Sequence, residues 1–182
     1  MKLPLLLVDT PLTNVESIRE AVGVKGIPVI ATSSTCTFAL RDEYPEVLNV
    51  DNKGLRDHIE LATRWLWRKL DEGKTLPLKP LPLKVVYHTP CHMEKMGWTL
   101  YTLELLRKIP GLELPVLDSQ CCGFKKENYP TSQAIGAPLF RQIEESGADL
   151  VITDCETCKW QIEMSTSLRC EHPITLLAQA LA

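Results

Sequence analysis

Residues 150–158 read LVITDCETC, a short apolar run that leads directly into a Cys-x-x-Cys turn. The helical pattern of residues 156–168 follows at once. A buried strand, a turn and a helix in this order form the repeating unit of a parallel α/β sheet. Because the same order recurs along the chain, the sequence predicts an α/β protein with mostly parallel sheets flanked by helices.

Other segments support this fold class. Short runs rich in Val, Ile or Leu, bounded by polar residues, Pro or Gly, predict strands buried on both faces. They cover residues 27–31, 84–87, 112–117 and 150–153. Helical spacing of apolar residues predicts helices over residues 13–22, 53–70, 93–109, 131–145, 156–168 and 174–181. Pro138 predicts a kink or break in the fourth of these helices.

The composition is that of a folded globular chain. Its 182 residues are 45% hydrophobic and 24% charged, with a net charge of -3. These values exclude collagen-like, low-complexity and wholly disordered chains. No basic cluster exceeds a short pair, so we expect no nucleic-acid partner. The apolar run of residues 3–8 is broken by Pro4 and is too short for a transmembrane helix or a secretory signal.

Three prolines between residues 75 and 84 predict an extended linker. The linker covers residues 76–84. It separates a first part (residues 1–75) from a second part (residues 85–182). The parts share a motif, since VIATSSTC at 29–36 matches VITDCETC at 151–158 in four of eight positions. Chance similarity of two strand ends is the alternative. On the repeat hypothesis the first copy is incomplete, because the positions equivalent to Cys91 and Cys121 would precede Met1.

Cysteine is the most informative residue type in this sequence. There are seven cysteines, an odd number, with no export signal, so a disulfide framework is disfavoured. Five of them directly follow the carboxyl ends of three predicted strands: Cys91, Cys121, Cys122, Cys155 and Cys158. In an open parallel sheet those ends share one crevice. We therefore expect these five thiols to converge on one site.

Several thiolates in one site favour a metal centre. Cys thiolates hold iron–sulfur clusters, and a Cys-x-x-Cys turn before a helix supplies two of them. The adjacent pair Cys121-Cys122 could bind different iron atoms, and Gly123 allows a close approach of the backbone to a cluster. Zinc held by four thiolates and a thioredoxin-like redox pair at Cys155 and Cys158 remain open alternatives. So does a docking module whose thiols hold nothing.

Other residues near this pattern have weaker assignments. Cys36 is interpreted as a remnant ligand or a buried small residue, and Cys170 as structural. His88 and His92 flank Cys91, where they either tune a cluster by hydrogen bonding or are solvated or capping residues. Lys125-Lys126 predicts a solvated loop.

In their order and types the five cysteines resemble the CCG cysteine-rich domain family. Its pattern is a Cys, then Cys-Cys-Gly, then Cys-x-x-Cys. Within this family, residues 89–95 (TPCHMEK), 131–147 and 154–160 (DCETCKW) are similar to the C subunits of anaerobic glycerol-3-phosphate dehydrogenases. The resemblance covers residues 14–182. It departs from the family after Gly123, where Phe124-Lys125-Lys126 replaces a Gly-rich stretch.

The resemblance implies an iron–sulfur subunit that transfers electrons and performs no substrate chemistry itself. It implies a cluster, either 4Fe–4S or non-cubane, with the ligands Cys91, Cys121, Cys122, Cys155 and Cys158. Electrons would come from the catalytic A/B subunits of glycerol-3-phosphate dehydrogenase and pass to the membrane quinone pool. The expected location is the cytoplasmic face of the inner membrane, with peripheral attachment. His88, His92 and Thr157 would tune the potential of the cluster.

Overall fold

The structure is a computed structural model that describes residues 6–118, 120–124 and 128–182, with residues 6–10 described by their backbone alone. The prediction of a solvated loop at Lys125-Lys126 therefore lies outside the described residues. The chain forms two compact units, Met1–Trp65 and Leu66–Ala182. The limits 1–75, 76–84 and 85–182 stay predictions.

The first unit contains a parallel pair of strands. Strand β1 (Val29–Ala31) pairs with β2 (Ile59–Leu61), with Val29 opposite Ile59. The helical elements before and between the strands are α1 (Leu6–Arg19), which continues as a π-helix at Glu20–Val24, then α2 (Ser34–Phe38), a π-helical turn at Ala39–Glu43, and α3 (Tyr44–Glu46). A short 3-10 turn (Arg56–His58) precedes β2, and α4 (Ala62–Asp71) follows it.

The prediction of one helix over residues 53–70 is wrong in its first half. All three residues of β2 are buried, and a buried backbone needs hydrogen-bond partners, which β1 supplies. The buried guanidinium of Arg41 also donates to the carbonyl oxygens of Arg56 and Ile59. Pairing with a partner strand thus overrides the helical spacing of the local apolar residues, and the helix begins only at Ala62.

The second unit is built on a three-stranded parallel sheet. Its strands are β3 (Val85–Tyr87), β4 (Leu150–Ile152) and β5 (Cys170–Glu171), in that order across the sheet. The helices are α5 (Cys91–Met96), α6 (Thr99–Leu106), α7 (Tyr129–Glu145), α8 (Glu156–Ser165) and α9 (Pro173–Ala180). The predicted strand at 112–117 is reduced to two parallel bridges, one between Glu113 and Lys84, just before β3, and one between Val116 and Tyr87 of β3. Both sheets are parallel and flanked by helices, which confirms the predicted α/β class.

Two helix predictions in this unit are wrong in detail. The helix predicted at 93–109 is divided at Gly97, which adopts a left-handed φ of 69° and ends α5. Helix α7 continues through Pro138, so the predicted alternative of a break is wrong, whereas the alternative of a kink stays a prediction. Proline removes only one hydrogen bond from the helix, and Leu139, Phe140 and Ile143 are all buried just beyond it. Their burial holds the helix on the sheet.

The core lies on both faces of the sheet. Val86 and Val151 belong to one apolar cluster, whereas Val85, Tyr87 and Ile152 belong to the other, as the alternation of side chains along a strand requires. The first cluster includes α7 and α8 residues together with four cysteines: Cys122, Cys155, Cys158 and Cys170. Leucines of the Pro-rich segment (Leu76, Leu78, Leu81 and Leu83) are packed against the second cluster. Within the described ranges, no helix has the length and apolar character to cross a membrane.

Candidate metal centre

The five cysteines come from three places at the carboxyl edge of the second sheet. Cys91 begins α5 just after β3, and Cys155 precedes α8 just after β4. Cys121 and Cys122 follow the segment that bridges to β3. The thiol of Cys91 interacts with those of Cys121 and Cys122, and the thiol of Cys158 is hydrogen-bonded with those of Cys122 and Cys155. The structure thus gathers the predicted thiols into one continuous chain of neighbours.

The Cys-x-x-Cys turn is also the N-terminus of a helix. Cys155 occupies the N-cap of α8, and its Sγ accepts a hydrogen bond from the backbone N–H of Cys158 at 3.4 Å. The hydroxyl of Thr157 lies 3.0 Å from the same sulfur. Because the helix N-terminus favours negative charge, this turn is suited to hold a thiolate.

The Cys-Cys-Gly turn lies directly against helix α7. Gly123 has a φ of 75°, and a Cβ at this position would lie 2.3 Å from the carbonyl oxygen of Ser132. A Cβ on Gly136 would in turn lie 2.6 Å from the carbonyl oxygen of Cys122. Two glycines therefore allow the turn and the helix to touch through their backbones. The sequence indicated a close backbone approach at Gly123, whereas Gly136 was missed, and its position inside a helix was the available signal.

The protonation of the buried thiols is unequal. A hydrogen bond from Cys158 lowers the pKa of Cys122 to about 5, against the effect of burial, and His88 acts in the same direction. The hydrogen bonds with Cys122 and Cys155, together with burial, raise the pKa of Cys158. Burial and the neighbouring Cys121 raise the pKa of Cys91 to about 11. Within the pair of Cys122 and Cys158, the hydrogen bond therefore favours the thiolate form of Cys122 and the protonated form of Cys158.

The two histidines near the site and the two cysteines outside it differ in how deeply they are buried. His88 is only 1% exposed, which excludes the solvated alternative. Among the described residues, neither of its ring nitrogens has a hydrogen-bond partner of normal geometry. The ring is nevertheless close enough to the thiol of Cys122 to lower the pKa of that thiol. His92 is half-buried on α5. Cys36 is exposed, so the prediction of a buried small residue is wrong. Cys170 is fully buried in the core, and burial raises its pKa.

The donor set suits a group of several metal atoms, because each of the five thiolates can bind a different metal atom. Among the residues that the structure describes, no three His, Cys, Asp or Glu side chains are already arranged to hold a metal ion. The buried ring of His88, which interacts with the thiol of Cys122, is a suitable hydrogen-bond donor to such a group.

The cysteine-rich domain family named CCG matches residues 85–163. The match begins at β3 and ends within α8, so all five cysteines of the site lie inside the region that is similar to this family. The predicted resemblance to this family is confirmed.

Individual relatives extend the similarity beyond this region. The chain is 94% identical over 177 residues to the C subunit of the anaerobic glycerol-3-phosphate dehydrogenase of Escherichia coli K12, which covers 94% of this chain and 45% of that protein. It is 29% identical over 143 residues to an iron–sulfur protein of Methanocaldococcus jannaschii, 75% of this chain and 27% of that one. It is 25% identical over 183 residues to the D subunit of the dihydromethanophenazine:CoB–CoM heterodisulfide reductase of Methanosarcina barkeri, 92% and 43% of the two chains. The chain thus spans less than half the length of these relatives.

Proposed function

We propose that this chain is the cluster-holding part of an iron–sulfur electron-transfer subunit. The observation that carries the proposal is the continuous chain of five interacting thiols at the carboxyl ends of parallel strands, inside the region that is similar to the CCG family. We assign the ligands of a 4Fe–4S or non-cubane cluster to Cys91, Cys121, Cys122, Cys155 and Cys158. The name of the Methanocaldococcus relative, an iron–sulfur protein, supports the choice of metal.

The residues around the thiols supply what such a cluster requires. When bound, the cluster would take up and release one electron at a time. Backbone N–H groups of Gly123 and Cys158 donate to the sulfurs of Cys121 and Cys155, at 3.3 and 3.4 Å. These bonds stabilise negative charge on the sulfur atoms. The thiols that hold protons, Cys158 and Cys91, must release them when metal binds, so uptake of the cluster is linked to pH.

The relationship to glycerol-3-phosphate dehydrogenase defines the proposed partners. Because this chain is 94% identical to part of the C subunit of the Escherichia coli enzyme, we expect it to work within a complex of several subunits. The electron donors would be the catalytic A/B subunits that oxidise glycerol 3-phosphate, and the acceptor would be the membrane quinone pool. We place the complex at the cytoplasmic face of the inner membrane, attached peripherally. This chain then carries electrons and performs no substrate chemistry itself.

Anaerobic reconstitution with iron and sulfide tests the proposal. Iron and acid-labile sulfide per chain are measured together with the EPR spectrum of the reduced protein. Cys122→Ser and Cys158→Ser should lose most of the bound iron and change the spectrum. Cys36→Ser and Cys170→Ser are matched controls, because they remove a thiol outside the site and should retain the iron. Wild-type protein that folds but binds no iron, or that binds one zinc per chain instead, would contradict the proposal.

A second candidate is a thiol–disulfide protein of the heterodisulfide reductase type. The low pKa of Cys122, caused by its hydrogen bond from Cys158, gives a thiolate beside a thiol, as a redox pair requires. The heterodisulfide reductase relative points to the same chemistry. Mass spectrometry after mild oxidation distinguishes the two candidates. A reversible Cys122–Cys158 disulfide in metal-free protein, formed as the added mild oxidant removes two electrons and the thiol releases one proton, would favour the second.

A further inference from the structure

The two edges of the second sheet differ in how their backbone groups are bonded. At β5, the N–H of Cys170 donates to the carboxylate of Glu163 at 3.0 Å, and the side-chain amine of Lys159 donates to the carbonyl oxygen of Cys170. Helix α8 carries both of these side chains and therefore protects this edge. The opposite edge is the segment of residues 112–117, which bridges to β3 on the side away from β4.

Backbone groups of the segment 112–117 alternate between β3 and the outside. Three of its residues bond to β3, or to Leu83 just before it, at 2.8–3.1 Å: Glu113, Pro115 and Leu117. Because successive residues of an extended chain direct their N–H and C=O groups to opposite sides, those of Leu114 and Val116 point away from β3. Among the residues that the structure describes, these outward groups form no hydrogen bond. Two rungs of a β-ladder are therefore available at this edge.

The features that normally protect a sheet edge do not block these two residues. Proline and charged side chains are the usual protection. Pro115 belongs to the set that faces β3, so the N–H that it lacks is missing on that side. Leu114 is half-buried, Val116 is 45% exposed, and neither carries a charge. Residues 114 and 116 therefore keep the hydrogen-bonding capacity of an open edge.

A groove lies beside this edge, against the C-terminal end of α7. It has a volume of about 340 Å³, and both charged side chains in its lining, Asp118 and Glu145, are exposed carboxylates. The carbonyl groups at the end of a helix add partial negative charge. The amine of Lys84 donates to one of them, the carbonyl oxygen of Ser146, at 2.7 Å. Negative charge remains in excess in the groove, which therefore favours a cationic ligand group.

We propose that this edge binds an extended segment of a partner protein, with lysine or arginine at alternate positions, as an additional β-strand. The backbone groups of Leu114 and Val116 bond to the added strand and supply affinity. Side chains alternate along a strand, so every second side chain of the segment lies on the face of α7, next to Asp118 and Glu145. Basic side chains at those positions supply specificity. The inference does not depend on the metal chemistry of the five cysteines, so each proposal can fail separately.

Titration of the full chain with short capped peptides, followed by NMR of the backbone amides, tests the inference. The probe is the pentapeptide Lys-Val-Lys-Val-Lys, which has lysines at alternate positions. We expect it to shift the amide signals of Leu114 and Val116 and to slow their hydrogen exchange. Two control peptides should not do so. One is Glu-Val-Glu-Val-Glu, which has the opposite charge, and the other is the lysine peptide N-methylated at every residue, which cannot donate a backbone hydrogen bond.

Three variants test the individual contacts. Asp118→Asn and Glu145→Gln should each weaken binding of the lysine peptide about threefold, the size expected of a charge pair at a protein surface. Glu104→Gln is the matched control, because this exposed carboxylate lies on α6 and should leave the dissociation constant unchanged. Val116→Pro removes one donor of the edge and should abolish binding.

Each outcome of these titrations supports or overturns the added strand. No shift with the lysine peptide, equal binding of the lysine and glutamate peptides, or shifts confined to residues outside this edge and groove would overturn the inference. Self-association of the free chain that Val116→Pro abolishes, measured by sedimentation velocity, would assign the edge to a second copy and overturn the proposed occupant. If Val116→Pro does not fold, the N-methylated peptide decides: weaker binding than that of the parent peptide supports the inference, and equal binding refutes it.

Discussion

Replacing Gly123 with alanine measures how strongly the Cys-Cys-Gly turn depends on its contact with helix α7. The new Cβ would lie 2.3 Å from the carbonyl oxygen of Ser132 and 2.8 Å from the backbone nitrogen of Gly136. Ordinary contacts of a Cβ begin near 3.4 Å, and both neighbours are backbone atoms. The turn or the helix must therefore move by about 1 Å, the difference between 3.4 and 2.3 Å.

The expected cost has two parts. The left-handed backbone conformation of Gly123, with a φ of 75°, costs an alanine about 1–2 kcal/mol. Overpacking of a buried contact typically adds about 1–3 kcal/mol. We therefore expect Gly123→Ala to lower the free energy of unfolding by about 2–5 kcal/mol, as the sum of these two terms.

Gly97→Ala is the matched control for this substitution. Gly97 has a similar φ of 69°, but a Cβ there would meet nothing within 4 Å. It should show only the backbone cost of about 1–2 kcal/mol. Urea unfolding of the metal-free protein under reducing conditions, followed by tryptophan fluorescence, measures both variants. Equal destabilisation by the two substitutions would refute the contact between the turn and α7.

Three further predictions concern the buried thiols and the core. Burial raises the pKa of Cys170, so above about pH 8.5 only the unfolded thiol ionises and stability falls. Cys170→Ala should remove that part of the fall, as measured by urea unfolding at pH 7 and pH 9.5. Thr157→Val removes the hydroxyl 3.0 Å from the sulfur of Cys155 and should shift the midpoint potential in the negative direction, whereas Thr157→Ser should not. Leu105→Ala, in the core, should cost about 2–5 kcal/mol by urea unfolding, whereas Leu100→Ala, at an exposed position, should change stability little.

The fold class could be predicted from the sequence because three strands are short apolar runs that end in turns or caps. These are β1, β3 and β4. Strands β2 and β5 were not predictable in the same way. Residues 59–61 also have helical spacing, and β5 consists of Cys170 and Glu171 alone. Such a strand is defined by its pairing with Ile152 and Val151 of β4 rather than by its own residues.

The site could be predicted in part, for a topological reason. Each of the five cysteines follows a strand or a strand-like segment, and parallel strands present their carboxyl ends at one edge. The partners of the cysteines could not be predicted, since nothing local in the sequence shows which buried groups Asp154 or His88 will meet. A glycine inside a helix, such as Gly136, costs about 1 kcal/mol relative to alanine. A glycine retained at that cost indicates that another segment packs closely against the helix, but it does not identify that segment.

The two matching octapeptides show how little the backbone must change to produce a ligand pair. Ser33 accepts a hydrogen bond from the N–H of Cys36 at 3.4 Å, and Cys155 accepts one from Cys158 at the same distance. Both residues have extended dihedral angles and cap a helix that begins at a strand end. The repeat remains a prediction, but its local geometry is common to both segments. Oxygen at this position caps the helix, whereas sulfur both caps the helix and can bind metal. The redox function proposed for the second segment therefore depends on the replacement of one oxygen by sulfur, and on Cys122, whose thiol lies beside that of Cys158.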